Sequence, residues 1–296
     1  MIKKTGIGLF ILLLCALGWY LFVKPYDYLV TFTAATSPGT VYEAVSRWGE
    51  DNTRIENLSG YPFSEIKQRL QLADSTLLLQ WKIRAIHDSM AQVRVYLKDE
   101  NHSLANKVTI PFSKSPMEKI AKNLLVPFKK GLDQQLTRYR VSIRGESETE
   151  AMFCACTEIR TAQKNKAYGM MRNNYLISDF LFTHKMDTAG YPRIEITNWD
   201  IENGQITFNF CFPSQKKDTL PESDRIFFKT FPKQKAIKAV YHGNYKSSDK
   251  AWYALYEYAK RNQLDIGNTP LEIFYNNPNN GGNDLKWKAI VFMPLQ

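Results

Sequence analysis

The chain has 296 residues, 44% hydrophobic and 13% aromatic, which supplies enough apolar surface for packed cores and excludes wholesale disorder. Its net charge of +10 suits anionic surfaces. No basic run with interleaved aromatics and no helix-turn-helix pair is present, so nucleic acid is not an expected partner.

From Thr5 to Val23 the chain carries no charge and is nearly all apolar. At 1.5 Å per residue about 19 helical residues reach roughly 28 Å, close to a bilayer core. Lys3 and Lys4 precede this run, and Trp19 and Tyr20 suit the far interface. The reading is a retained transmembrane anchor over residues 1–24, meeting the membrane through residues 5–23. The alternatives are a cleaved signal peptide, for which no A-x-A site stands out, and a lipoprotein cut before Cys15, where Leu14 replaces the small residue expected. The flanking lysines keep the N-terminus cytoplasmic. That makes the chain a single-pass protein of the inner (cytoplasmic) membrane with its soluble part outside, in the periplasm of a Gram-negative cell.

Four cysteines are too few for a disulfide scaffold, and no pair of C-x-x-C motifs exists. Small buried hydrophobes are the expected role for all four. In an oxidising compartment a bridge from Cys154 or Cys156 to Cys211 is also open.

Residues 26–34 alternate and read as a strand, and Ser37-Pro38 opens a helix through Val41, Val45 and Trp48. Strands are expected over 65–72, 77–86, 91–97 and 105–112, with a turn at Asp99–His102, whereas 52–64 reads as a poor strand. Ser115-Pro116 starts a long helix with Ile120, Leu124, Phe128, Leu132 and Leu136 on one face; Pro127 should kink it. This order of strand, helix, antiparallel strands and final helix resembles the START-like (SRPBCC, polyketide-cyclase-like) superfamily over residues 25–144. The resemblance implies a helix-grip domain with an apolar cavity, here short of strands.

Gly145–Glu150 reads as a polar linker, after which a pattern occurs twice. Unit one has a strand at 151–161, a helix at 164–186 and strands near 193–196 and 205–213. Unit two has a strand at 236–241, a helix at 247–262 and strands at 271–275 and 287–294. Pro192-Arg193-Ile194-Glu195 echoes Pro270-Leu271-Glu272 within a residue. Residues 148–296 resemble the GyrI-like effector-binding domains found behind AraC-type and MerR-type regulators. The fold class is therefore α+β: a transmembrane helix, a START-like domain, then two tandem β-α-β-β units.

The resemblance implies two facing sheets with a ligand groove between the units and helices outside. It carries candidate ligand-binding roles to Tyr241 and His242, where a Tyr/His-x-Gly step closes a strand, and to Glu272 and Tyr275, in the acidic-aromatic stretch. Trp287 would be an aromatic wall. Many relatives carry a Glu in the last strand; here 287–291 holds no acid, which weighs against a drug-cation site. For Trp252 and Tyr256, helical spacing favours packing.

No zincin, nucleophile-elbow, P-loop or dinucleotide motif occurs, and the four histidines lack metal spacing. No catalytic residue, metal or cofactor is therefore expected. The leading function is a membrane-anchored binder of an apolar or amphipathic small molecule, an effector or lipid. One alternative is a small hydrolase, since some relatives hydrolyse strained electrophiles, with Glu272 and Tyr275 as candidates. The other is a non-catalytic interaction module at the membrane surface.

Overall fold

The computed structural model describes residues 2–111 and 115–296, with side chains from residue 7 onward. The chain divides into two compact units, Met1–Gln134 and Gln135–Gln296.

In the first unit, helix α1 (Ile2–Gly18) continues as a π-helical turn over Trp19–Val23. Leu9, Phe10, Leu12, Leu13 and Phe22 are exposed. Among the described residues no helix is long and apolar enough to cross a membrane. The expected spanning helix differs because its α-helical register stops at Gly18. The Lys107 amino group donates to the carbonyls of Leu21 and Lys24, at 3.2 and 2.6 Å, and so holds the end of this segment.

Strand β1 (Tyr28–Ala34) and helix α2 (Pro38–Glu50) follow, the latter with Pro38 at its first position, where no amide hydrogen is needed. Strands β2 (Ile55–Tyr61), β3 (Glu65–Gln71), β4 (Thr76–His87) and β5 (Met90–Asp99) complete an antiparallel sheet in the order β1-β5-β4-β3-β2. Period-two patterning decides its inner face: Leu77, Leu79, Trp81 and Ile83 of β4 are all buried.

Three expectations change here. Residues 52–64 do contain a strand, β2, whose burial pattern is exposed after Ile55, as suits a sheet edge. The strand read at 105–112 is instead helix α3 (Ser103–Thr109) as far as Thr109, and Phe112 lies outside the described residues. Helix α4 (Pro116–Leu136) runs unbroken through Pro127 and buries Met117, Ala121, Leu125, Phe128 and Leu132, so its first half faces inward one position later than Ile120 and Leu124. Trp48 of α2, Trp81 of β4 and Phe128 of α4 meet with ring centroids 5.1–5.8 Å apart, which fills the space between sheet and helices with aromatic side chains.

The second unit contains β6 (Tyr139–Glu148), β7 (Met152–Ala162), α5 (Lys166–Thr183), β8 (Arg193–Asp200), β9 (Gln205–Pro213), β10 (Phe227–Phe231), β11 (Lys235–Gly243), α6 (Lys250–Asn262), β12 (Leu271–Phe274) and β13 (Lys288–Pro294). Its strands form one eight-stranded antiparallel sheet, β10-β7-β9-β8-β12-β13-β11-β6, rather than two facing sheets. The expected linker at 145–150 is mostly strand, because β6 pairs with β11 through Glu148↔Lys235.

The repeat is therefore β-β-α-β-β. The leading strand of each half crosses to the far edge: β6 flanks β11, and β10 flanks β7. Only residues 149–151 and 232–234 make these crossings. Four residue steps span at most about 14 Å, whereas six strand spacings in a flat sheet are about 29 Å. The sheet must therefore curl until its edges approach. At that pole the Thr149 amide donates to the Gln234 carbonyl at 2.9 Å, and the Thr149 hydroxyl donates to the Pro232 carbonyl at 3.2 Å.

Candidate functional site

Helices α5 and α6 cover one face of this sheet, meeting Ile159, Phe208, Ala239 and Tyr241. On the other face, Cys154, Cys156, Cys211, Phe231, Ala236, Leu271, Ile290 and Phe292 form one buried apolar cluster, with Met152, Ile273 and Tyr275 half-buried against it. The cluster draws on six strands from both halves, so this face is the concave one, and it is the candidate ligand face.

The halves join symmetrically. The Ile196 amide donates to Pro270 and the Phe274 amide to Pro192, both at 2.9 Å. Position 192 thus corresponds to 270, and Ile194, not Glu195, corresponds to Glu272. A one-residue slip in a strand exchanges faces. Glu195 consequently faces the concave side, while Glu272 faces the helices.

Glu272 is fully buried, ion-paired with the buried Lys166 amino group at the start of α5, and accepts a 2.5 Å hydrogen bond from Ser248 ahead of α6. Lys166 also donates to Ser248 at 2.7 Å and sits 4.6 Å from the Trp252 ring. Nearby, Gln163 donates to Asp249 and Tyr253 and accepts from Trp199. This is a closed network joining the two repeat halves. Sequence reading missed Lys166, since a lysine opening a helix normally points to water.

Tyr241 is also on the helix face, wholly buried, its hydroxyl donating to the Asn244 carbonyl at 2.7 Å and its ring stacked on Tyr139. Burial holds its phenol well above the ordinary range. The Trp287 ring packs on Tyr245, whose ring also meets Phe274. Three candidates, Tyr241, Glu272 and Trp287, are thus placed away from the concave face.

The other two, His242 and Tyr275, do belong to it. His242 is half-buried, with Nδ1 lacking a hydrogen-bond partner, and lies opposite Lys288. The Tyr275 ring lies 4.4 Å from Tyr191 and 4.6 Å from the Lys288 amino group, and burial raises its phenol.

Residues not anticipated complete the face. Arg193 is 4% exposed, its Nε has no hydrogen-bond partner, and its guanidinium lies 5.9 Å from the Phe231 ring. Lys229 pairs with Glu195 at 2.5 Å, and Asn209 donates to the same carboxylate oxygen. Arg193 and Lys229 fall in period-two register with the cysteines, which was the available signal. Cys156 and Cys211 are direct cross-strand neighbours and form a disulfide across this face. Cys154 stays free and buried, and burial lifts its thiol to about 11. Among the described residues no cluster of His, Cys, Asp and Glu could hold a metal ion.

No curated protein matches the chain. Solved structures resembling it include the EcmrR C-terminal domain, at 14% identity over 53% of this chain and 98% of that one, TM-score 0.46. Another is SAV2435 bound to tetraphenylphosphonium, at 13% identity over 53% and 93%, TM-score 0.37. A third, the di-domain ARO/CYC StfQ from the steffimycin biosynthetic pathway, is 13% identical over 91% and 85%, TM-score 0.24. The sequence profile of one family matches: residues 174–296, from within α5 to the last residue, match the GyrI-like small molecule binding domain.

Proposed function

We propose that the protein is a membrane-anchored binder of a small amphipathic molecule, held on the concave face of the eight-stranded sheet. The observation that carries this reading is the apolar cluster on that face, assembled from both repeat halves, with six of its eight buried residues in the stretch 174–296 that matches a small-molecule-binding family and Cys154 and Cys156 ahead of it. Exposed apolar side chains along α1 and its π-helical extension support anchoring of the N-terminal segment. The Cys156–Cys211 bridge supports an extracytoplasmic location, where disulfides persist. The first unit, a long helix against a five-stranded sheet, supports a START-like assignment.

A hydrolase in the groove lacks support from Glu272 as base, since that carboxylate is fully buried on the helix side of the sheet in an ion pair with Lys166. An additional surface role has an observation of its own. Lys82, Arg84 and Arg94 line one shallow depression on the outer face of the first unit's sheet, a fit for anionic headgroups.

The test is native mass spectrometry of the full chain released from its own membranes, combined with thermal shift against a metabolite extract. One small molecule per chain and a raised midpoint are expected. A chain that carries nothing, and whose midpoint no fraction moves, overturns the binding reading.

A further inference from the structure

We infer that the concave face takes an anionic amphiphile, with Arg193 as the group that receives its carboxylate. This rests on the binding reading above and adds the ligand's charge. A guanidinium is charged at every accessible pH and presents a planar fork of donors matched to a carboxylate. Arg193 is 4% exposed and surrounded by Cys154, Phe231 and Ile273, and its Nε has no hydrogen-bond partner. A buried charge without a hydrogen-bonded counter-ion is costly, and native chains rarely keep one without a use.

The neighbouring carboxylate on the same strand face does not serve it. Glu195 is taken by Lys229 and Asn209. Lys238 and Lys288, half-buried over Phe292 and Tyr275, add positive charge to the same face. Glu150 also acts electrostatically on Arg193, but it is exposed to solvent. The buried apolar cluster on the same face includes Leu271, Ile290 and Phe292. A charged head on Arg193 with an apolar body against these residues satisfies both halves of the site.

The experiment uses the full chain in neutral phosphatidylcholine nanodiscs and three congeners of one shape: 2-naphthoate, 2-naphthamide and 2-naphthylmethylammonium. The expected order of affinity is carboxylate above amide above ammonium, with at least tenfold between the first and the last. Arg193→Met should weaken naphthoate at least tenfold and leave naphthamide within about twofold, the size expected for a charge-assisted hydrogen bond. Arg193→Lys, which keeps charge and bulk, should keep the order with an intermediate affinity. Equal binding of the three, or preference for the ammonium, overturns the anion assignment and leaves the groove reading standing. An unchanged naphthoate affinity in both Arg193 variants removes Arg193 from the site. Failure of all three congeners to bind overturns the groove reading and this inference together.

Discussion

Glu272 shows how one side chain's face decides its role. Its buried carboxylate compensates the buried Lys166, and both are hydrogen-bonded to Ser248. Removing one partner of a buried pair leaves an uncompensated charge. Glu272→Gln should therefore destabilise the fold by about 3–5 kcal/mol, read from urea unfolding, whereas the double variant Lys166→Met with Glu272→Leu should recover most of that loss. A double variant no better than the single one would show that the network contributes more than charge compensation. Tyr245 makes a second test. Its hydroxyl donates to the Lys288 carbonyl and accepts from the Asn276 amide, and burial lifts its phenol to about 12. An unfolded tyrosine titrates near 10. The native state therefore keeps the proton while the unfolded state loses it, so this group's contribution is whole below about pH 10 and is lost as pH rises toward 12. Tyr245→Phe should flatten the fall of stability between those values, measured by denaturant midpoints at stepped pH.

At the scale of elements, the crossed leading strands govern the second unit. β6 protects the outer edge of β11, and Gly145, at φ +78°, sits where the pairing register shifts beside Lys238. That backbone favours glycine, so Gly145→Val should cost roughly 1–2 kcal/mol in thermal unfolding. A fragment beginning at residue 148 would lack β6 and expose the β11 edge, so it should self-associate in sedimentation, whereas one beginning at 137 should not. The tandem repeat was legible because a strand-helix-strand-strand order recurs with a Pro-led echo at Pro192 and Pro270, and because α6 carries an apolar face. β6 was not read from the sequence, although Val141 and Ile143 stand between polar neighbours, because its partner lies far along the chain and no local pattern points to it. The short α3 was misread because Val108, Thr109 and Ile110 favour strands, while the tertiary bonds of Lys107 fix a helix there. The candidate site was only partly legible. His242 and Tyr275 lie on the concave face, but matching Glu195 with Glu272 ran one residue out of register, and in a strand a one-residue slip exchanges one face of the sheet for the other.

At the scale of the molecule, compartment and charge can be tested directly. The bridge between Cys156 and Cys211 closes a loop of 55 residues, and chain-entropy reasoning puts its contribution at about 4 kcal/mol. Reduction should lower the thermal midpoint of the full chain by several degrees, and an unmoved midpoint would mean that the thiols are already reduced in the native protein. Lys82→Glu with Arg94→Glu should weaken docking of the chain on phosphatidylserine vesicles, with the difference vanishing at high salt. The crossed edge strands also set a schedule for synthesis. Tyr139 pairs with Gly243, roughly a hundred residues later. At about 5–20 residues per second, β6 emerges some 5–20 s before the strand it must join. Over that interval its backbone donors and acceptors have no mate. A chain that completes its sheet so late depends, while it is being made, on whatever keeps other strands away from β6.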